Sequence, residues 1–179
     1  MRNWMIPLMA AAAAAMAPAN AAAQIAIAVN ESLTLRVDDS GKAEVVKRER
    51  AQPSAYDQAV IKGFFAGAYD EGVGDKSVPV DSAGPLPPAP PVAPGQIRIS
   101  FVGIADRNEA VLIVENGYGE ALRYHITVKG GSQTYYPDVC MVAPGRRGYE
   151  RFPVQLDGGT LTGLERVTWS RGDPLPCLK

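Results

Sequence analysis

"QIRISFVGIADRNEAVLIVENGYGEALRYHITVK", residues 96–129, decides the fold. Ile97, Ile99 and Phe101 alternate with Arg98 and Ser100, and Leu122, Tyr124, Ile126 and Val128 alternate with Arg123, His125, Thr127 and Lys129. A period of two puts one set of side chains on a buried face and the other on an outer one, which is the signature of strands. Between them "AVLIVEN" is almost continuously apolar, and "ADRNE" and "NGYGE" supply turn residues. Further strands are expected around Tyr135–Val142, Phe152–Leu156 and Arg166–Ser170, separated by "APGRRG" and "LDGG". About seven short strands predict a mainly β chain whose residues 96–179 form an immunoglobulin-like antiparallel β-sandwich. Trp169 alternates with Val167 and is expected to anchor the core, although the order and spacing of Cys and Trp differ from antibody domains. No fixed-period repeat points to a propeller or solenoid.

Upstream, "ESLTLRVDDSGKAEVVKRER" reads as a β-hairpin, with Leu33, Leu35 and Val37 alternating, "DDSG" turning the chain and Val45 and Val46 starting the return. The period then changes. Tyr56, Ala59, Val60, Gly63, Phe64 and Gly67 recur at helical spacing behind Ser54, an N-cap with Asp57 three residues on, so a short helix follows. The Gly63–Gly67 pair reads as close packing on the sheet, since Lys62 lies within the run. Residues 24–78 are thus a hairpin–helix element. Residues 79–95, "PVDSAGPLPPAPPVAPG", form a proline-rich linker expected to be solvated and semi-rigid. Whether the N-terminal element stands alone or packs into the sandwich is open from sequence.

Residues 1–23 have the layout of a secretory signal peptide: Arg2, an uncharged Ala/Met/Leu run, Pro18, and two A-x-A cleavage sites, Ala19/Ala21 and Ala21/Ala23, of which the second is favoured. The expected location is periplasmic or secreted, with no membrane span once the leader is removed. Lys and Arg number 18 against 19 acidic residues, a net charge of -1, so nothing in the balance favours nucleic acid. An oxidising compartment forms disulfides, and Cys140 and Cys177 are the two cysteines. A bridge between them closes a loop of about 37 residues and, on the chain-entropy model, contributes about 4 kcal/mol.

Catalytic chemistry has little to work with. A thiol nucleophile needs a base, and the one histidine, His125, falls on the polar face of its strand. Two distant cysteines and one histidine give no zinc spacing, and "YDEGVGD" (Asp70, Glu71, Asp75) lacks the alternating carboxylates of a calcium loop. Gly-rich pieces such as "GYGE" and "LDGGT" read as turns rather than phosphate loops, and "RGD" at 171–173 as a bend before Pro174. No metal and no cofactor is expected. The remaining candidate is a cluster of Arg146, Arg147, Tyr149 and Arg151 beside "APG", with Tyr149 taken as exposed. It is either an anion- or polysaccharide-binding edge, or a solvated turn whose arginines pair with Glu150 and Asp138.

"VENGYGEALRYHITV" followed by "DVCMVAPGRRGYERFP" resembles the C-terminal part of small exported bacterial proteins of uncharacterised function, over roughly residues 97–170, with the "NGY" turn, Tyr124, Cys140 and Glu150 as its recognisable points. The resemblance implies an exported β domain and supplies no catalytic residue. Together these readings predict a non-catalytic binding or cell-envelope accessory protein whose partner is an envelope protein or polysaccharide. The alternative is a periplasmic hydrolase or thiol enzyme with its site at the sandwich edge, using Cys140, His125 or loop carboxylates.

Overall fold

A computed structural model describes residues 24–65, 86–173 and 177–178. The expected leader at 1–23, Gly67, the "YDEGVGD" loop and residues 79–85 of the expected linker lie outside the described residues. In chain order the elements are β1 (Ile25–Ala28), β2 (Glu31–Val37), β3 (Ala43–Arg50), α1 (Ala55–Phe65), β4 (Ile97–Ile104), β5 (Glu109–Asn116), β6 (Ala121–Gly130), β7 (Gln133–Tyr135), β8 (Val139–Cys140), β9 (Arg147–Phe152), β10 (Gly158–Val167) and β11 (Cys177–Leu178). They form a five-stranded sheet in the order β3-β2-β4-β5-β9, a four-stranded sheet in the order β1-β10-β6-β7, and a β11-β8 pair. Every pairing is antiparallel. The chain is therefore mainly β, with two antiparallel sheets packed together and one short helix.

The alternation read from the sequence becomes the core between these sheets. Leu33, Leu35, Ile97, Ile99, Leu112, Val114, Leu122 and Val128 are fully buried there, joined by Phe101 packed edge-to-face on Phe152. β5 reads as continuously apolar because both its faces are covered. Leu112 and Val114 point into the sandwich, while Val111 and Ile113 lie under the helix beside Ile61 and Val102.

The β2–β3 turn follows its chemistry: the Asp38 carboxylate accepts the backbone N–H groups of Ser40 (2.9 Å) and Lys42 (3.0 Å), and Gly41 takes φ 81°. α1 opens with a reciprocal cap. Ser54 N–H and Oγ donate to Asp57 Oδ2 (3.0 and 2.6 Å), and Asp57 N–H donates to Ser54 Oγ (3.1 Å).

The question that sequence leaves open is answered by the pairing: β2 pairs with β4, and β1 pairs with β10, so the N-terminal strands supply an edge to the four-stranded sheet and two strands to the other. The sandwich begins at Ile25, because Ile25, Ile27, Leu33 and Leu35 are the apolar surface that completes its core. The proline-rich stretch, where described, is not a free spacer. Leu86 packs against the Val60–Phe64 cluster, and Gly95 and Gly117 are locked by N–H donation from Gly95 to Gly117 O and from Gly117 to Gln96 O, both 2.8 Å. A Cβ on Gly117 would collide with the Ala93 carbonyl, so the "NGY" glycine is what lets the connector lie so close.

The late strands also shift. β9 ends at Phe152 rather than starting there, and β10 ends before Trp169, with a bulge between Leu161 and Gly163. Trp169 lies beyond the sheet, half-buried, its indole N–H donating to the Asp173 carbonyl at 3.1 Å. It is no core anchor. The residues after Val167 turn away because Ser170, Gly172 and Asp173 close a local turn that competes with strand pairing.

Among the described residues no helix is long and apolar enough to cross a membrane.

Candidate functional site

The outer face of the five-stranded sheet divides into an apolar half beneath α1 and a polar half beside it. Register builds the polar half. Lys47 on β3 lies opposite Thr34 on β2, Thr34 opposite Arg98 on β4, Arg98 opposite Glu115 on β5, and Glu115 opposite Arg147 on β9. One row of directly opposed residues thus crosses all five strands, and cross-strand neighbours of opposite charge attract. Arg147 donates to Glu115 at 2.8 Å and lies 3.7 Å from Asp57; Arg98 reaches Glu49 at 3.4 Å, and Lys47 pairs with Glu49 at 2.7 Å.

Over the middle of this row lies a groove of about 410 Å³, walled by Pro91–Ala93 of the connector and by Val46, and floored by Thr34, Lys47, Glu49, Gln96, Arg98 and Glu115. Its charges balance: two cations and two carboxylates, with an amide and a hydroxyl between. Burial pushes the Glu115 carboxyl above the ordinary glutamate range, against the pull of Arg147 and Arg98. The Nε of Arg98 is buried without a hydrogen-bond partner. Such a floor offers donors and acceptors at fixed positions with no net field, and suits a ligand rich in hydroxyl and amide groups.

At the far end of the row Tyr149 donates its hydroxyl to Asp57 Oδ1 at 2.7 Å and packs its ring against Phe64, 6.0 Å between centroids. Burial, then the Asp57 carboxylate, pushes the phenol far above its usual range, so it remains a donor.

These contacts revise the arginine cluster. Arg147, Tyr149 and Arg151 alternate along β9 and share the face toward α1, where Arg147 is nearly buried, Tyr149 is half-buried rather than exposed, and Arg151 pairs with Glu109 at 2.8 Å. Glu115, Asp57 and Glu109, brought in from β5 and α1, supply carboxylate partners to them. Glu150 points to the opposite face and accepts the Cys140 N–H at 3.0 Å. Arg146 precedes the strand, is exposed, and hydrogen-bonds through its backbone to Asn116 and Ala143. The four residues therefore do not form one exposed edge.

Of the other candidates, Cys140 lies on β8 directly opposite Cys177 on β11. His125 is exposed on β6, opposite Gly163. "RGD" is exposed in a closed turn, with Asp173 Oδ2 accepting the Ser170 N–H. Among the described residues no group of His, Cys, Asp and Glu could hold a metal ion.

The groove residues were not singled out from sequence, because each is the polar member of an alternating strand and reads as solvent-facing. Only the pairing register brings them together.

No protein-family model matches the chain, and neither does any curated protein or solved structure.

Proposed function

We propose that the chain is an exported, non-catalytic binding protein of the cell envelope, periplasmic or secreted, that takes a segment of polysaccharide in the groove over its five-stranded sheet. The observation that carries this reading is the charge-balanced lining of the groove, in which Lys47 and Arg98 alternate with Glu49 and Glu115 beside Thr34 and Gln96. Interleaved Lys47, Glu49, Arg98, Glu115 and Gln96 can each take one hydroxyl as donor or acceptor. Residues 1–23 support export by their composition, and the resemblance to small exported bacterial proteins agrees with it. An immunoglobulin-like kinship belongs to the same proposal, supported by two antiparallel layers of short strands.

A disulfide between Cys140 and Cys177 is part of this reading. The register that sets the two residues opposite each other supports it.

Titration calorimetry with soluble fragments of envelope polysaccharide tests the proposal. Binding is expected at one site and is weakened by Arg98→Ala or Gln96→Ala but not by Arg146→Ala. Equal affinity in Arg98→Ala and the parent would refute it.

A further inference from the structure

A second concavity lies on the same sheet face, between α1 and the end of β4. It measures about 460 Å³ and is lined by Ile61 and Phe65 of α1, Val102 and Ile104 of β4, and Pro53, with Gln58, Lys62, Asp106 and Arg107 around it. That volume falls in the range of small-molecule sites, about 300–1,000 Å³. Its helix-side wall runs from Gln58 to Phe65, about two turns or roughly 10 Å, so the space is long rather than round.

Its mouth carries two cations, Lys62 and Arg107. Arg48, Arg98, Arg123, Arg147, Arg151 and Arg166 all face carboxylates. Among the described residues Lys62 and Arg107, which line this groove, form no ion pair, although the Glu109 carboxylate, paired with Arg151, also feels the Arg107 charge. The Arg107 guanidinium lies 4.5 Å from the centre of the Phe65 ring, which also meets Arg151 at 5.0 Å. A guanidinium held over an aromatic ring keeps N–H groups with which it can meet an anion. Lys62 is exposed in the last turn of α1, one position past buried Ile61. Asp106 is the one acid among the lining residues, so the mouth keeps a positive balance.

We infer that this groove binds a fatty acid, its single acyl chain lying along Ile61, Phe65, Val102 and Ile104 and its carboxylate between Lys62 and Arg107. Apolar floor and unpaired cations together select this chemistry. A neutral chain would leave the cations unused, and a small anion would leave the floor wet. The site is distinct from the polysaccharide groove and does not depend on it.

Titration of the full chain with dodecanoate below its aggregation concentration tests the inference, with dodecyltrimethylammonium and acetate as comparison ligands. Dodecanoate is expected to bind one site, and the other two to show no saturable binding. Lys62→Gln combined with Arg107→Gln should weaken dodecanoate by about tenfold or more, at an unchanged Tm because both side chains are on the surface. Asp106→Asn, which removes only the opposing charge, should tighten it, and Arg98→Ala should leave it unchanged. Absence of dodecanoate binding, equal affinity in the double variant, or equal binding of the cationic detergent would each overturn the inference.

Discussion

Tyr149 on the edge strand β9 donates its hydroxyl to Asp57 in the first turn of α1, at 2.7 Å. One carboxylate thereby serves two structures: its Oδ2 caps the helix through Ser54, and its Oδ1 receives the strand. The helix that roofs the apolar half of the sheet is fixed in position by the same group that starts it. Tyr149→Phe removes the donor and leaves Asp57 buried with one partner fewer, so a loss of about 1–3 kcal/mol is expected in urea unfolding. Asp57→Ala should cost more, because the cap is lost as well, by about 1 kcal/mol. The double variant should be destabilised by less than the sum of the two, since both remove the same bond.

Glu115 sits between Arg98 and Arg147, yet burial raises its carboxyl above the usual 4.5. The folded chain therefore holds this proton to higher pH than the unfolded one. Below the unfolded value both states are protonated and the group contributes no slope. As pH rises from about 4.5 through the raised folded value, the folded state loses stability relative to the unfolded, and the loss is complete above it. Glu115→Gln keeps an acceptor for Arg147 and removes the titration. The stability difference between parent and variant should move in the variant's favour across that pH interval. Parallel pH profiles of the two proteins would contradict the burial argument.

Leu35 tests how the N-terminal hairpin belongs to the rest. It is fully buried in the cluster that includes Ile97, Leu122 and Leu161, drawn from both sheets. Leu35→Ala is expected to cost about 2–5 kcal/mol. The loss should appear as a shift of one cooperative transition, with amides of β6 and β10 exchanging faster along with those of β2. A variant that loosens β2 alone would mean that the hairpin unfolds on its own.

The layered β architecture was legible because its cause is local. Alternation at Ile97–Phe101 and Leu122–Val128, and the Asp38 turn, are written within a few residues of where they act. The helix start was legible for the same reason, in Ser54 and Asp57. What sequence did not carry was which strand lies beside which. Nothing near Thr34 says that Arg98 is its neighbour, so the hairpin's place in the five-stranded sheet and the polar row both stayed hidden. The arginine cluster shows the same gap: Arg147 is three residues from Glu150 and Arg151 one, yet the carboxylates of Glu115, Asp57 and Glu109 reach them from β5 and α1. Gly117 had a readable signal, a glycine in a polar turn, but its role depends on the Ala93 carbonyl that only folding brings there.

The last prediction concerns the tail. β8 and β11 are two residues each, too short to hold together by ladder bonds alone, and their register sets Cys177 opposite Cys140. β8 itself is tied elsewhere, since the Cys140 N–H donates to Glu150 and Val142 exchanges backbone bonds with Leu122. A bridge would therefore act on the tail and on the unfolded chain rather than on β8. With a loop of about 37 residues, reduction should cost about 2–4 kcal/mol and lower the Tm. Thiol titration of the unreduced protein in denaturant should find no reactive sulfur. The variant with both Cys140→Ser and Cys177→Ser should show the Tm of the reduced parent and no further response to reductant. Two titratable thiols, or a parent whose Tm ignores reductant, would leave the tail held by its backbone pairing alone.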